Sequence, residues 1–182
     1  MNAFWTYFWP AFAAGIVCGV IAGAVGFRLK IIRRQGEETT FVRPPARNRR
    51  SALLAGIAAS IALAALWHGP FGAADRFSAE VERNARRTLD DFEMVQIKAH
   101  LHHGPLSRHL LLSGPADDFQ TSELARITGA IPGVSRAQWT PEPAGPPLIL
   151  EGAAVSLIGF LIGLLLAYLV ELRRRHNAQW NW

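Results

Sequence analysis

Four histidines crowd one short stretch of the chain: His100, His102, His103 and His109. Neutral imidazoles in such numbers are the usual ligands of zinc or copper. They are also the side chains whose charge changes between about pH 5 and 8. His100 and His102 are two positions apart, which puts them on one face of an extended strand. His109 follows a turn and could lie across from them. A tetrahedral zinc set needs a fourth donor, and no cysteine or clearly placed carboxylate supplies one. A solvated strand face that contains histidine is therefore the simpler expectation, with His100, His102 and His109 kept as candidate metal ligands. No cofactor is assigned.

Other chemistry-bearing patterns are missing. The sequence holds no Gly-rich phosphate loop, HExxH, GxSxG or paired-carboxylate motif. The Ser, His and Asp residues have no triad-like spacing, so a non-enzymatic protein is expected. The only cysteine, Cys18, closes no intrachain disulfide.

The remaining signals belong to elements built for a bilayer. Half of the 182 residues are hydrophobic, and they are unevenly distributed. Residues 1–27, 51–67 and 152–170 carry no charged side chain. Such runs approach or exceed the ~17–25 residues that cross hydrocarbon as a helix. Transmembrane helices are expected over 1–27, 51–68 and 148–171. The second, short and alanine-rich, could instead be a buried or interfacial helix. Gly15, Gly19 and Gly23 line one side of the first run, and Gly159 and Gly163 one side of the third. Small residues at this spacing let helices approach closely in lipid. The partner could be another span, a second copy or a different protein. Glu151 sits at the start of the third run, where it can reach water and favour the positive helix end.

The net charge of +5 could suggest nucleic acid, but its placement argues against that partner. Of the 19 basic residues, eight lie in 28–50: Arg28, Lys30, Arg33, Arg34, Arg43, Arg47, Arg49 and Arg50. Arg173, Arg174 and Arg175 follow the last apolar run. By the positive-inside rule the 28–50 loop and the 172–182 tail are cytoplasmic. Three crossings then leave the amino terminus and the segment between the second and third spans outside. The same arginines could hold anionic lipid head groups. Trp5, Tyr7, Trp9 and Trp67 fall at the expected outer ends, and Trp180 and Trp182 in the inner tail, as interfacial rings do. The first run has no basic residues before it, so it reads as an uncleaved anchor.

Between the second and third spans the pattern becomes that of a small folded domain, residues 74–140. Over 75–92, Phe77, Val81, Ala85 and Leu89 recur every four positions, predicting a helix with one apolar face. In "VQIKAHLHH", Val95, Ile97, Ala99 and Leu101 alternate with polar residues, predicting a strand. "HGPLS" turns the chain, and "RHLLLSG" continues as the second arm of a hairpin ending at Gly114. "DDFQTSELARITGAI" predicts a helix capped by Asp117 or Asp118, with Phe119, Leu124, Ile127 and Ile131 on its apolar face. "VSRAQW" predicts a third strand. "PEPAGPP", residues 141–147, reads as a stiff linker into the membrane, and "RPPARNRR" as extended chain.

The fold class expected is α+β: three transmembrane helices plus an αββαβ two-layer domain between the second and third. "LLLSGPADDFQTSELARITGAIPGVSRAQW" resembles the BON domain, a small αββαβ module of bacterial envelope proteins. The likeness covers residues 76–140. It rests on an apolar strand closing on Ser113-Gly114, a polar helix, and Pro132-Gly133-Val134 leading into a strand. It implies structural roles for Gly114 and Gly133 and contact with phospholipid or an envelope protein, often in the periplasm. The chain departs from the family in carrying one copy and a histidine-rich hairpin interrupted by Pro105. The expected function is a periplasmic binding module anchored in a bacterial inner membrane, with membrane lipids and a membrane or periplasmic protein, or a second copy, as partners. An accessory or assembly subunit of a larger membrane complex is the alternative.

Overall fold

A computed structural model describes residues 2–32, 40–42, 45–139 and 145–180. The chain is mostly helical and divides into two compact units, Met1–Pro10 with Leu66–Gly152 and Ala11–Ala65 with Ala153–Trp182.

Three helices are long and apolar enough to cross a membrane: α1 (Ala3–Phe27), α2 (Ala46–His68) and α5 (Leu148–Trp180). At 1.5 Å per residue, the 33 residues of α5 extend about 50 Å, well beyond a ~30 Å hydrocarbon core. Two expectations change here. Helix α2 begins at Ala46, so Arg47, Arg49 and Arg50 are helical rather than extended. Helix α5 runs through residues expected to form a separate tail. Arginine is a strong helix former with no need of a partner at an exposed position, so nothing stops either helix at its basic end. Within the 28–50 loop, β1 (Lys30–Ile32) and β2 (Thr40–Val42) pair antiparallel, with Ile31 opposite Phe41. Arg33, Arg34, Arg43, linker residues 141–144 and Trp182 lie outside the described residues, as do the side chains of Lys30 and Trp180.

In the helical unit, the glycines of α1 and α5 close on each other. A Cβ at Gly15 would strike the Ser156 carbonyl, and one at Gly159 the Phe12 carbonyl. Gly19 and Gly163 approach so closely that each one's added Cβ would come 3.0 Å from the other's Cα. On α2, a Cβ at Gly56 would come within 2.8 Å of the Phe160 ring, which is fully buried. These backbones meet because no side chain separates them. The unit also buries polar groups. Ser60 Oγ and Ser156 Oγ lie 2.8 Å apart, each also within reach of the other's carbonyl. The signal was a serine, Ser60 and Ser156, inside the second and third apolar runs.

The second unit holds α3 (Ala73–Asp91), β3 (Lys98–His103), β4 (Leu106–Ser113), α4 (Asp118–Gly129) and β5 (Arg136–Gln138). Strand β4 is central, antiparallel to β3 and parallel to β5. Phe77, Val81, Ala85 and Leu89 of α3 are all buried. They form the core with Ile97, Leu101, Leu110 and Leu112, and with Leu124, Ile131 and Val134. Each fully buried Leu or Phe of this set contributes about 2 kcal/mol. Asp117 caps α4: its side chain accepts from Gln120 N at 2.7 Å, and Gln120 Oε1 accepts from Asp117 N at 3.2 Å. Gly114 (φ 141°) and Gly133 (φ 109°) hold backbone conformations that a side chain would strain.

Two apolar residues expected on buried faces are not there. Val95 is 73% exposed because the chain from Glu93 to Ile97 makes turns and β3 begins only at Lys98. Phe119 is 74% exposed because it falls in the first turn of α4, outside the stripe set by Leu124, Thr128 and Ile131. The phase of a helix decides which residues turn inward, and the capping box fixes that phase here.

Candidate functional site

Strand β3 is one edge of the domain's sheet, and α3 packs against it. Side chains of α3 reach backbone groups of β3 and of the turn that leads into it. Arg86 donates to the Ile97 carbonyl at 2.8 Å and to the Met94 carbonyl at 3.3 Å. Glu82 Oε1 accepts from Leu101 N at 2.9 Å. These contacts cover an edge that would otherwise invite pairing with another strand. Arg86 is itself held by Asp90, and the guanidinium keeps that carboxyl below the usual carboxylate range through hydrogen bonding.

Between α3 and β3 lies a groove of about 550 Å³, lined by Ala79, Glu82, Arg83, Arg86, Lys98, Ala99 and His100. Arg83, Lys98 and His100 are exposed, and none pairs with another described residue. Arg86 and Glu82 already have partners, so two unneutralised cations face this opening. They stand out because the surrounding region, residues 75–142, carries 8 basic and 10 acidic side chains. Such a surface suits a phosphate or carboxylate.

A second cluster fixes the domain to the helix ends that share its unit. Arg108 on β4 pairs with Glu151 at 3.0 Å, donates to the Gly133 carbonyl at 2.9 Å, and stacks 5.2 Å from the Phe4 ring. Both charged side chains are about one-fifth exposed, so the pair is shielded from solvent. The Tyr7 hydroxyl lies 2.6 Å from His68 Nδ1, and the Trp67 indole donates to the Tyr7 carbonyl at 2.9 Å. Tyr7 also packs on Phe77, with ring centroids 5.4 Å apart. Glu151, expected to reach water at the helix start, thus has a partner on the domain.

The histidines do not assemble as a ligand set. His103 Nε2 lies 3.2 Å from Glu82 Oε1, and His102 Nδ1 lies 3.2 Å from the Pro105 carbonyl. His109 packs against Gly145, and its Nδ1 is buried with no hydrogen-bond partner among the described residues. His100 alone lines the groove. Among the described residues, no three His, Cys, Asp or Glu side chains gather as a metal set.

In the helical unit, Glu171 is the residue that sequence reasoning missed. It is 6% exposed, and its carboxylate accepts from Leu29 N at 3.1 Å, Arg174 at 3.2 Å and Arg175 at 3.5 Å. It caps the chain where α1 has ended, and a lone acid beside three arginines was the available signal. Arg173 and Arg49 are exposed. Comparison of the chain with protein-family models, curated proteins and solved structures gave no match.

Proposed function

We propose that the chain is a non-enzymatic binding module anchored in a bacterial inner membrane, with its αββαβ domain on the periplasmic side. In this reading α1, α2 and α5 cross the bilayer, the amino terminus is outside and the arginine-rich helix ends are cytoplasmic. The αββαβ order and the positive φ of Gly114 and Gly133 support the BON-like reading of the domain.

The ligand is an anionic phospholipid head group seated in the α3–β3 groove. The observation that carries it is the convergence of Arg83, Lys98 and His100, none of them paired within the described chain, on one open groove. The test uses the full chain in nanodiscs and titrates short-chain phosphatidylglycerol against short-chain phosphatidylcholine, following the His100 ring by NMR. Saturable binding of the anionic lipid alone is expected, weakened about tenfold in Lys98→Glu. Equal response to both lipids, or none, removes the reading.

A second reading, an accessory subunit of a larger complex, is favoured by exposed apolar residues. Phe92 (50%), Val95 (73%) and Phe119 (74%) flank the start of β3 and the end of β4, away from the strand end where Ser107 bridges Pro147. Exposed apolar side chains so placed suit a protein partner. The glycine faces of α1 and α5 pack on each other within the chain, so docking would use this end of the domain or the exposed face of α2. Purification in mild detergent followed by mass spectrometry separates the readings: a stoichiometric partner lost in Phe119→Asp supports the second, a lone monomer the first.

A further inference from the structure

A crevice of about 320 Å³ opens between α1 and α5 near their basic ends, lined by apolar and small residues with Arg28, Glu171 and Arg174 at its mouth. Its depth follows from the helices. From Val20 to Arg28 and from Leu166 to Arg174 is eight residues each, or about 12 Å of rise. That is close to one leaflet's share, about 15 Å, of the hydrocarbon core. The small residues Gly23, Ala24 and Ala167 leave the space, while Val20, Leu166 and Val170 are exposed on its walls.

The charge at the mouth is unbalanced. Glu171 is spent on Leu29 N, Arg174 and Arg175. Among the described residues, one carboxylate stands against Arg28, Arg174 and Arg175 and leaves a net positive rim. Arg28 is exposed and has no partner among the described residues. An apolar slot one leaflet deep, ending in an unpaired guanidinium, is complementary to a single amphiphile with an acyl chain and an anionic head.

We propose that this crevice binds one anionic phospholipid, its acyl chain lying along Ala24 and Leu166 and its phosphate held by Arg28. The site is separate from the α3–β3 groove and rests only on the three helices crossing a bilayer. Neighbouring cations at the basic helix ends add to the attraction, about fivefold in affinity for each well-placed arginine.

Native mass spectrometry of the full chain tests this, after exchange into detergent micelles with equal phosphatidylglycerol and phosphatidylcholine. In a Lys98→Glu background, which disables the α3–β3 groove, the chain is expected to retain one phosphatidylglycerol in preference to phosphatidylcholine. Arg28→Gln lowers that preference about fivefold. Ala24→Leu fills the slot from its exposed side and lowers retention of either lipid. Equal retention of the two lipids in the Lys98→Glu background, or full retention when Ala24→Leu is added to it, overturns the proposal. Loss in Lys98→Glu overturns it too, by moving the retained lipid to the domain. Should Arg28→Gln fail to remain monodisperse, Ala24→Leu decides the question.

Discussion

Arg108 gathers more long-range contacts than its exposure in a strand would suggest: a carboxylate 43 positions away, a carbonyl at Gly133 and two aromatic rings. Arg108→Ala would leave Glu151 shielded and uncompensated, and is expected to cost about 2–3 kcal/mol in denaturant unfolding of the full chain in micelles. Glu151→Gln, which keeps a hydrogen-bond acceptor, should cost less. Gly133→Ala meets two penalties together. Its φ is 109°, and the new Cβ would lie 2.9 Å from Val81 Cγ2 and 3.2 Å from the Phe77 ring. A loss of about 2–3 kcal/mol is expected by the same measurement. Asp90 gives a pH-dependent effect. Its carboxyl titrates below the ordinary range beside Arg86. Its contribution is therefore full above the ordinary carboxylate pKa of about 4 and fades as pH falls through the lower folded value. In an NMR titration of the carboxyl carbon, Arg86→Gln should return the midpoint to the ordinary range.

At the scale of elements, the double substitution Ser60→Ala and Ser156→Ala isolates the bond between α2 and α5. A double-mutant cycle is expected to give a coupling near 0.6 kcal/mol, because in a membrane each serine can find another partner when the helices part. Gly159→Leu should do more, since the side chain has to displace the Phe12 carbonyl. It is expected to abolish compact folding, read as loss of a monodisperse gel-filtration peak. The contrast shows what periodicity reveals. The four-residue spacing of Phe77, Val81, Ala85 and Leu89 marked the buried face of α3, and small-residue spacing marked the faces on which α1 and α5 meet. Both are local regularities. The pairing of Tyr7 with His68, of Arg108 with Glu151 and of Leu29 with Glu171 joins residues 61, 43 and 142 positions apart. No spacing rule encodes such pairs, because the turns between elements set them. The α3–β3 groove was half legible. The histidines drew attention to β3, but Arg83 and Lys98 join His100 only through the packing of α3 on the sheet edge. Val95 and Phe119 were misjudged where an alternating or helical pattern was extended past the end of its element.

For the whole molecule, the distribution of charge makes a claim about compartments that the cysteine content lets one test directly. Cys18 is the only thiol. In a Cys18→Ser background, each introduced cysteine is a single reporter. Ser113 is exposed at the end of β4, and Asn177 is exposed beyond the arginines of α5. The arginines bordering α1, α2 and α5 flank Phe27, Ala46 and the far part of α5, the ends not joined to the domain. Positive flanks are retained on the cytoplasmic side during insertion, so all three ends are expected there and the domain opposite. Ser113→Cys should react with a membrane-impermeant maleimide in intact spheroplasts, whereas Asn177→Cys should react only after lysis. The reverse pattern would put the α3–β3 groove in the cytoplasm and remove the periplasmic ligand. Labelling of both sites in intact spheroplasts would mean that an odd number of crossings does not separate them. Either result would leave the lipid crevice between α1 and α5 to be judged on its own measurements, since in a micelle both ends of the helices meet the same solution.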